Sequence, residues 1–281
     1  MNTFDFNKIF VLESLFGERQ TGKELYQDIL RWQKFKHKGK LQIEFIEIAN
    51  KSEFNLFFEA LTHECRTEGI MPILHLEIHG NSYGLQLVSK EIVSWEELYN
   101  YLVAINIIIK NNLFLTLGVC EGAYLMSQIK PYKPVPFYGF IGSFQKITSE
   151  DIIIRYSAFY TEFLESFSVN KAINMLFKSN PKLPSSYQLI KLYEDLWSTP
   201  KKIDERFENL VVRENLVFVS RQERRKNKRW FEKQLKGTKE QFRLKYMRTF
   251  FMVDKYPDQI ERFDLPQSIK DEIKIVTSEL F

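Results

Sequence analysis

Cysteine is nearly absent from this chain: there are two among 281 residues, Cys65 and Cys120, far apart in sequence. Such a pair suggests no disulfide framework and fits a reducing compartment. Long apolar runs are missing as well. The greasiest stretch, Leu102–Ile109, is too short to span a bilayer, which takes about 20 apolar residues. The opening M-N-T-F-D-F-N-K carries an early acid and no apolar h-region, so no secretory signal is apparent. These absences together point to a cytoplasmic protein with no membrane partner. There is no internal repeat or low-complexity tract, and a net charge of +4 says little about partners. Core material, by contrast, is plentiful. Hydrophobic residues make up 44% of the chain and include 25 Phe, which excludes a disordered polypeptide.

The patterning predicts an alternating α/β domain over residues 1–182 and a helical, basic extension over 183–281. Lys8–Leu15 and Leu41–Ile48 read as strands. Thr21–Lys36 reads as a helix with Thr21 as N-cap, Glu24 completing a capping box, and Leu25, Ile29 and Trp32 on its apolar face. Ser52–Thr67 follows as a helix capped by Ser52, with Phe54, Phe57, Phe58, Leu61 and Cys65 inward. Cys65 is thereby a small buried hydrophobe, and His63, off that stripe, is solvated. After the strand Ile73–Gly80 comes a short hairpin, then the helix Ser94–Asn111 with a Ser94/Glu97 capping box. Leu113–Cys120 and Phe137–Phe144 are further strands, and Ser149–Ser166 and Val169–Lys178 are helices. That order implies a mostly parallel sheet with helices on both faces. Beyond the proline-containing stretch near 182, helices are expected at Tyr187–Trp197, Ile203–Val212 and Lys228–Val253, with Asn215–Ser220 a possible strand.

Two of these strands end in chemically capable side chains. In I-L-H-L-E-I-H-G, alternation puts His75, Glu77 and His79 on one face; in L-F-L-T-L-G-V-C-E-G, Phe114, Thr116, Gly118 and Cys120 share a face. If the strands are parallel neighbours, His79 and Cys120 emerge side by side at the carboxyl ends, where open α/β sheets place their sites. A thiol of pKa about 8.5 is mostly protonated at neutral pH, and a nearby imidazole can take that proton and later deliver it to a leaving amine. The N–H groups of Gly80 and Cys120 are candidates for an oxyanion hole. Glu121-Gly122 opens a short helix, which sets Cys120 at a helix N-terminus that favours thiolate.

An apolar block ending in His-Gly, followed by a second ending in Cys, resembles the caspase–hemoglobinase group. That group includes caspases, metacaspases, separases and compact bacterial caspase-like (CHAT-type) domains. His79 and Cys120 are 41 residues apart, against roughly 50 in the caspase signature. The resemblance covers about residues 5–180. It implies a caspase-type cysteine endopeptidase, with His79 the catalytic imidazole, Cys120 the nucleophile, and the Gly80 and Cys120 amides the oxyanion hole. It further implies a protein or peptide substrate, no cofactor, and a setting in bacterial antiviral defence or cell death. The chain departs from the family where caspases carry Gln-Ala before the cysteine and metacaspases an acid two residues before it. Here those positions are Gly118 and Val119.

Other readings stand beside this one. His79 and Cys120 can be plain strand-end residues of a non-catalytic α/β domain. The chain can also be an inactive caspase-fold module that binds a partner, a signalling ligand or nucleic acid through its basic extension. A metal site built on His75, Glu77, His79 and Cys120 is disfavoured, because no second cysteine lies near Cys120; His75 fits a hydrogen-bonded core position. Residues 221–248 hold 12 Lys/Arg against three Glu, a local +9 that leaves about −5 on the remainder. Interleaved Trp230, Phe231, Phe242 and Tyr246 allow base stacking, but a solvated helix face, or docking of an activating partner or anionic ligand, is favoured over nucleic acid. Arg224, Arg225, Lys228 and Arg229 are the candidate regulatory patch. An element of this kind would hold a peptidase inactive until its trigger arrives.

Overall fold

The architecture was read from a computed structural model, which describes residues 4–36, 40–129, 133–181, 185–190 and 247–262, together with 267, 268, 270, 271 and 273. The chain forms two compact units. One comprises residues 1–129 and 136–190, the other 130–135 and 191–281.

The first unit is an α/β fold around a mostly parallel mixed sheet. Its strands are β1 (Lys8–Ser14), β2 (Gln42–Glu47), β3 (Pro72–Asn81), β4 (Gly84–Gln86), β5 (Ile92–Ser94), β6 (Phe114–Leu117), β7 (Gly139–Ser143) and β8 (Tyr187–Ile190). The main order is β2-β1-β3-β6-β7-β8, parallel through β7, with β8 antiparallel on its edge. A β4–β5 hairpin extends from the end of β3. Burial follows position in the sheet. All seven residues of the internal strand β1 are buried, whereas β2 at the edge turns Gln42 and Glu44 to solvent and Ile43 inward.

Helices cover the sheet: α1 (Thr21–Leu25), α2 (Arg31–Lys36), α3 (Lys51–Thr67), α4 (Trp95–Ile108), α5 (Ser149–Ser166) and α6 (Val169–Lys178). The capping box of α4 is present as expected: Ser94 Oγ accepts from Glu97 N–H while the Glu97 carboxylate accepts from Ser94 N–H. Two other caps differ from expectation. Asn50, not Ser52, caps α3: it sits in extended backbone and its carboxamide oxygen accepts from Glu53 N–H, while Ser52 lies inside the first turn. At α1 the N-cap position belongs to Gln20, and the Thr21 hydroxyl is committed elsewhere, donating to Glu77. Nor does Glu24 close a box, because its carboxylate pairs with Arg19.

Trp32 is likewise 53% exposed rather than on the buried face. Between α1 and α2, Tyr26–Leu30 form a π-helical turn. The added residue advances every later side chain by about 100°, so Leu30 and Gln33 turn inward in place of Ile29 and Trp32.

Tyr187–Ile190, expected to start a helix, is instead the strand β8. The open edge of β7 supplies partners that periodicity along the chain does not reveal: Tyr187 pairs with Ser143 in register, and its ring packs edge-on against Tyr156 at 5.4 Å. The helix Ile203–Val212, the strand Asn215–Ser220 and the patch Arg224, Arg225, Lys228 and Arg229 lie outside the described residues, and of the helix expected over Lys228–Val253 only 247–253 are described, helical at 247–250 and a turn at 251–253. Within the second unit, Met247, Phe250, Phe251 and Val253 are buried, and the Arg248 guanidinium donates to the Ile273 carbonyl and pairs with Asp254. No described helix is long and apolar enough to cross a membrane.

Candidate active site

The site begins with the register of two parallel strands. β3 is buried from Pro72 to Ile78, and β6 lies beside it with Ile73 opposite Phe114 and Leu76 opposite Leu117. Past the end of β6 the ladder continues, as Gly118 N–H donates to the Leu76 carbonyl at 2.9 Å. His79 lies three residues past Leu76 and Cys120 three past Leu117, each beyond the paired stretch of the two strands. Gly80 makes the approach intimate. A Cβ there would fall 2.3 Å from Val119 Cγ1 and 2.5 Å from the Cys120 carbonyl oxygen, so only glycine lets the two backbones meet. The segments of both candidate oxyanion donors, Gly80 and Cys120, are thus in direct contact.

Cys120 sits on a tight turn directly before the N-cap of a short helix. Glu121 adopts the left-handed conformation, φ +57°, and its N–H donates to the Gln145 carbonyl. A 3-10 helix, Gly122–Gln128, begins only after it, with Gly122 N–H returning to Val119. The thiol is partly exposed and lies against Ile147: Sγ accepts from the Ile147 N–H at 3.4 Å and faces its carbonyl at 3.6 Å. The imidazole of His79 turns the other way. Its Nε2 is 3.1 Å from both carboxylate oxygens of Glu18, on the β1–α1 loop, and both side chains are about half exposed, 49% and 58%.

Beneath these two residues is a buried polar chain. Tyr160 Oη and Thr116 Oγ1 are 2.7 Å apart, Thr116 Oγ1 and His75 Nδ1 2.8 Å, and His75 Nε2 and Glu77 Oε1 2.8 Å. Thr21 Oγ1 donates to Glu77 Oε2 at 2.9 Å. One placement of protons satisfies every member: Tyr160 donates to Thr116, Thr116 to His75, and His75 to Glu77. Both ring nitrogens of His75 are therefore occupied, as its reading as a core histidine anticipates. Among the described residues, no three His, Cys, Asp or Glu are grouped to hold a metal ion. Burial pushes Tyr156 and Tyr187 well up and Tyr160 above its ordinary range, so all three remain phenols.

Glu77 also explains Gly118. A Cβ at 118 would lie 2.4 Å from the Glu77 carboxyl carbon and both of its oxygens. The space a side chain would need two residues before Cys120 is filled by this carboxylate from the neighbouring strand. The sequence pattern assigns no role to Glu13 or Glu18, and gives Glu77 only a place in the disfavoured metal set. Alternation put Glu77 on the His79 face, and that was the one available signal. Cys65 is buried on α3 as expected, and burial pushes its thiol up to about 12. No protein-family model matches the chain, and neither does any curated protein sequence.

Proposed function

We propose that the protein is a cysteine endopeptidase of caspase type, with Cys120 as nucleophile and His79 as general base and acid. One observation carries the reading: the carboxyl ends of two adjacent parallel strands, in contact at Gly80, present an imidazole and a partly exposed thiol. In the reaction Cys120 Sγ bonds to the scissile carbonyl carbon and its proton passes to His79. The carbonyl oxygen takes the negative charge opposite the N–H groups of Gly80 and Cys120. His79 then protonates the leaving amine as the C–N bond breaks. Water, deprotonated by the same imidazole, releases the acid and restores the thiol. Because Glu18 and Ile147 now hold the two side chains apart, a productive state needs rotation of each, within reach of partly exposed groups. The substrate is a protein or peptide, and the trigger an acidic partner or anionic ligand recognised by the basic stretch around Arg224, Arg225, Lys228 and Arg229. An effector of antiviral defence or cell death fits such regulation.

The arrangement around Glu18 and Ile147 favours a second reading, a module of this fold that binds a partner without catalysis. Peptide-library cleavage by the full chain separates the two. The peptidase reading expects turnover that is abolished in both Cys120→Ala and His79→Ala and retained in Cys65→Ala. Turnover unchanged in Cys120→Ala overturns it.

A further inference from the structure

Glu77 precedes His79 by two residues on β3, and its side chain is wholly buried. One carboxylate oxygen lies 2.8 Å from His75 Nε2 and the other accepts from Thr21 Oγ1 at 2.9 Å. Two glycines make room for it. A Cβ on Gly118 would fall 2.4 Å from the carboxyl carbon and both oxygens, and one on Gly22 would fall 2.9 Å from Glu77 Cγ. Neither glycine has a positive φ; among the described glycines only Gly17 and Gly69 do. What Gly22 and Gly118 share is therefore a need for space around one side chain, with no need for a special backbone conformation.

Those glycines belong to the two segments that carry the candidate site. Gly118 lies two residues before Cys120, on the stretch leading from β6 into the turn, and its N–H donates to the Leu76 carbonyl at 2.9 Å. Thr21 and Gly22 open α1, just after the loop whose Glu18 meets His79. That loop is short and tied: Glu18 N–H donates to the Leu15 carbonyl and Thr21 N–H to the Arg19 carbonyl, each at 3.1 Å. Glu13, opposite Glu77 in the β1–β3 register, strengthens the same link by accepting from the Gly22 and Lys23 N–H groups. Burial raises the Glu13 carboxyl to about 7, with those N–H groups opposing the shift and Glu77 and Glu47 adding to it, so the two facing carboxyls need not both be charged.

Building on the peptidase reading, on which the assignment rests, we propose that Glu77 is a positioning residue of the Cys120–His79 site, a buried wedge that sets the Cys120 turn against the loop carrying Glu18. Glu77 touches neither the substrate nor the reacting atoms. It acts through Gly118 on the Cys120 thiol and N–H, and through Thr21 and the Glu18 loop on the orientation of His79. Reacting groups must be held within about 0.5 Å of the productive geometry, and misplacement by about 1 Å costs on the order of a hundredfold in rate.

Turnover of the best-cleaved library peptide by the full chain, with Cys120 alkylation by iodoacetamide measured beside it, tests this. Glu77→Ala opens space behind Gly118 and should lower kcat about tenfold to a hundredfold with KM within about twofold. Gly118→Ala drives a methyl group into the carboxylate and should lower kcat as much. In the Glu77→Ala background, where that space is empty, it should cost less than about twofold more. Glu77→Gln keeps the volume, and the neutral His75 and Thr21 groups can each donate or accept, so it should rescue kcat to within about threefold of wild type. Alkylation of Cys120 should shift at least about fivefold in both alanine variants and return in Glu77→Gln, with Cys65 unlabelled as the sign of an intact fold. If Glu77→Ala does not fold, Thr21→Val severs only the α1 link and should lower kcat at least about threefold with KM unchanged. A merely structural Glu77 would lower the unfolding midpoint and leave kcat and alkylation per folded molecule unchanged. That result overturns the proposal, as do additive effects of Glu77→Ala and Gly118→Ala or a Glu77→Gln as impaired as Glu77→Ala. Absence of turnover in the wild type overturns the peptidase reading instead, and the alkylation pattern then still decides whether Glu77 holds Cys120.

Discussion

β3 carries two histidines on one face, four residues apart, and they live in different worlds. His75 is wholly buried, with both ring nitrogens engaged and its ring edge-on to Tyr156 at 4.7 Å and to Tyr160 at 5.5 Å. His79 is about half exposed and touches one flexible carboxylate. The first is held by neighbours it cannot leave without exposing Glu77, so it suits architecture. The second is free to turn, which chemistry requires. One strand thus switches from structure to candidate function where it passes out of the core at Ile78.

The comparison extends to the two thiols, where the largest effect is expected. Brief iodoacetamide treatment near pH 7.5 should label Cys120 at least about a hundredfold faster than Cys65, whose thiol is buried and raised to about 12. Mass-spectrometric mapping that finds Cys65 labelled first would remove the basis for Cys120 as nucleophile. Next in size is the histidine pair itself. His75→Ala strands the Glu77 carboxylate and should cost about 3–5 kcal/mol in denaturant unfolding, while His79→Ala should change stability by less than about 0.5 kcal/mol. Equal losses would erase the distinction drawn between them.

Glu13 supplies a smaller effect with a definite sign. Its folded-state carboxyl titrates at about 7 against an ordinary 4.5. Between those values the native chain keeps a proton that the unfolded chain has lost, so stability falls as pH rises across that window and levels above it. Glu13→Gln should flatten that slope, seen as melting temperatures near pH 5 and pH 7.5 that differ less than in the wild type. A slope unaltered by the substitution would locate the titration elsewhere. The smallest effect belongs to Glu18→Gln. An exposed pair of this kind is worth about 0.2–1 kcal/mol, so stability should barely move. Under the peptidase reading its effect appears in kcat, through the orientation of His79, with KM unchanged. A change confined to KM would place Glu18 in substrate binding instead.

Much of the first unit was legible along the chain because its signals are local. Short apolar runs marked β1, β3 and β6, and alternation marked β2. The Ser94/Glu97 pair announced α4, and α5 and α6 begin and end where their patterns do. The misreadings share a different cause. Trp32 was misjudged because a π-helical turn shifts the face, and β8 because a strand edge far away in sequence recruits it. Glu13 carries no role in the sequence pattern and Glu77 only a disfavoured metal one, because an acid in a strand gives no sign of what will bury it.

By itself, then, the sequence determined the alternation of strands and helices, the inward stripe carrying Cys65, and the strand-end positions of His79 and Cys120. Each follows from residue spacing and backbone geometry, which act over a few residues. Only the tertiary structure decided that β3 and β6 are parallel neighbours, with Leu76 opposite Leu117. It alone decided that Gly118 yields its space to Glu77, and that Glu13 ends buried with one carboxylate oxygen unpartnered. Those outcomes depend on which distant groups share one desolvated volume, and no periodicity along the chain encodes that.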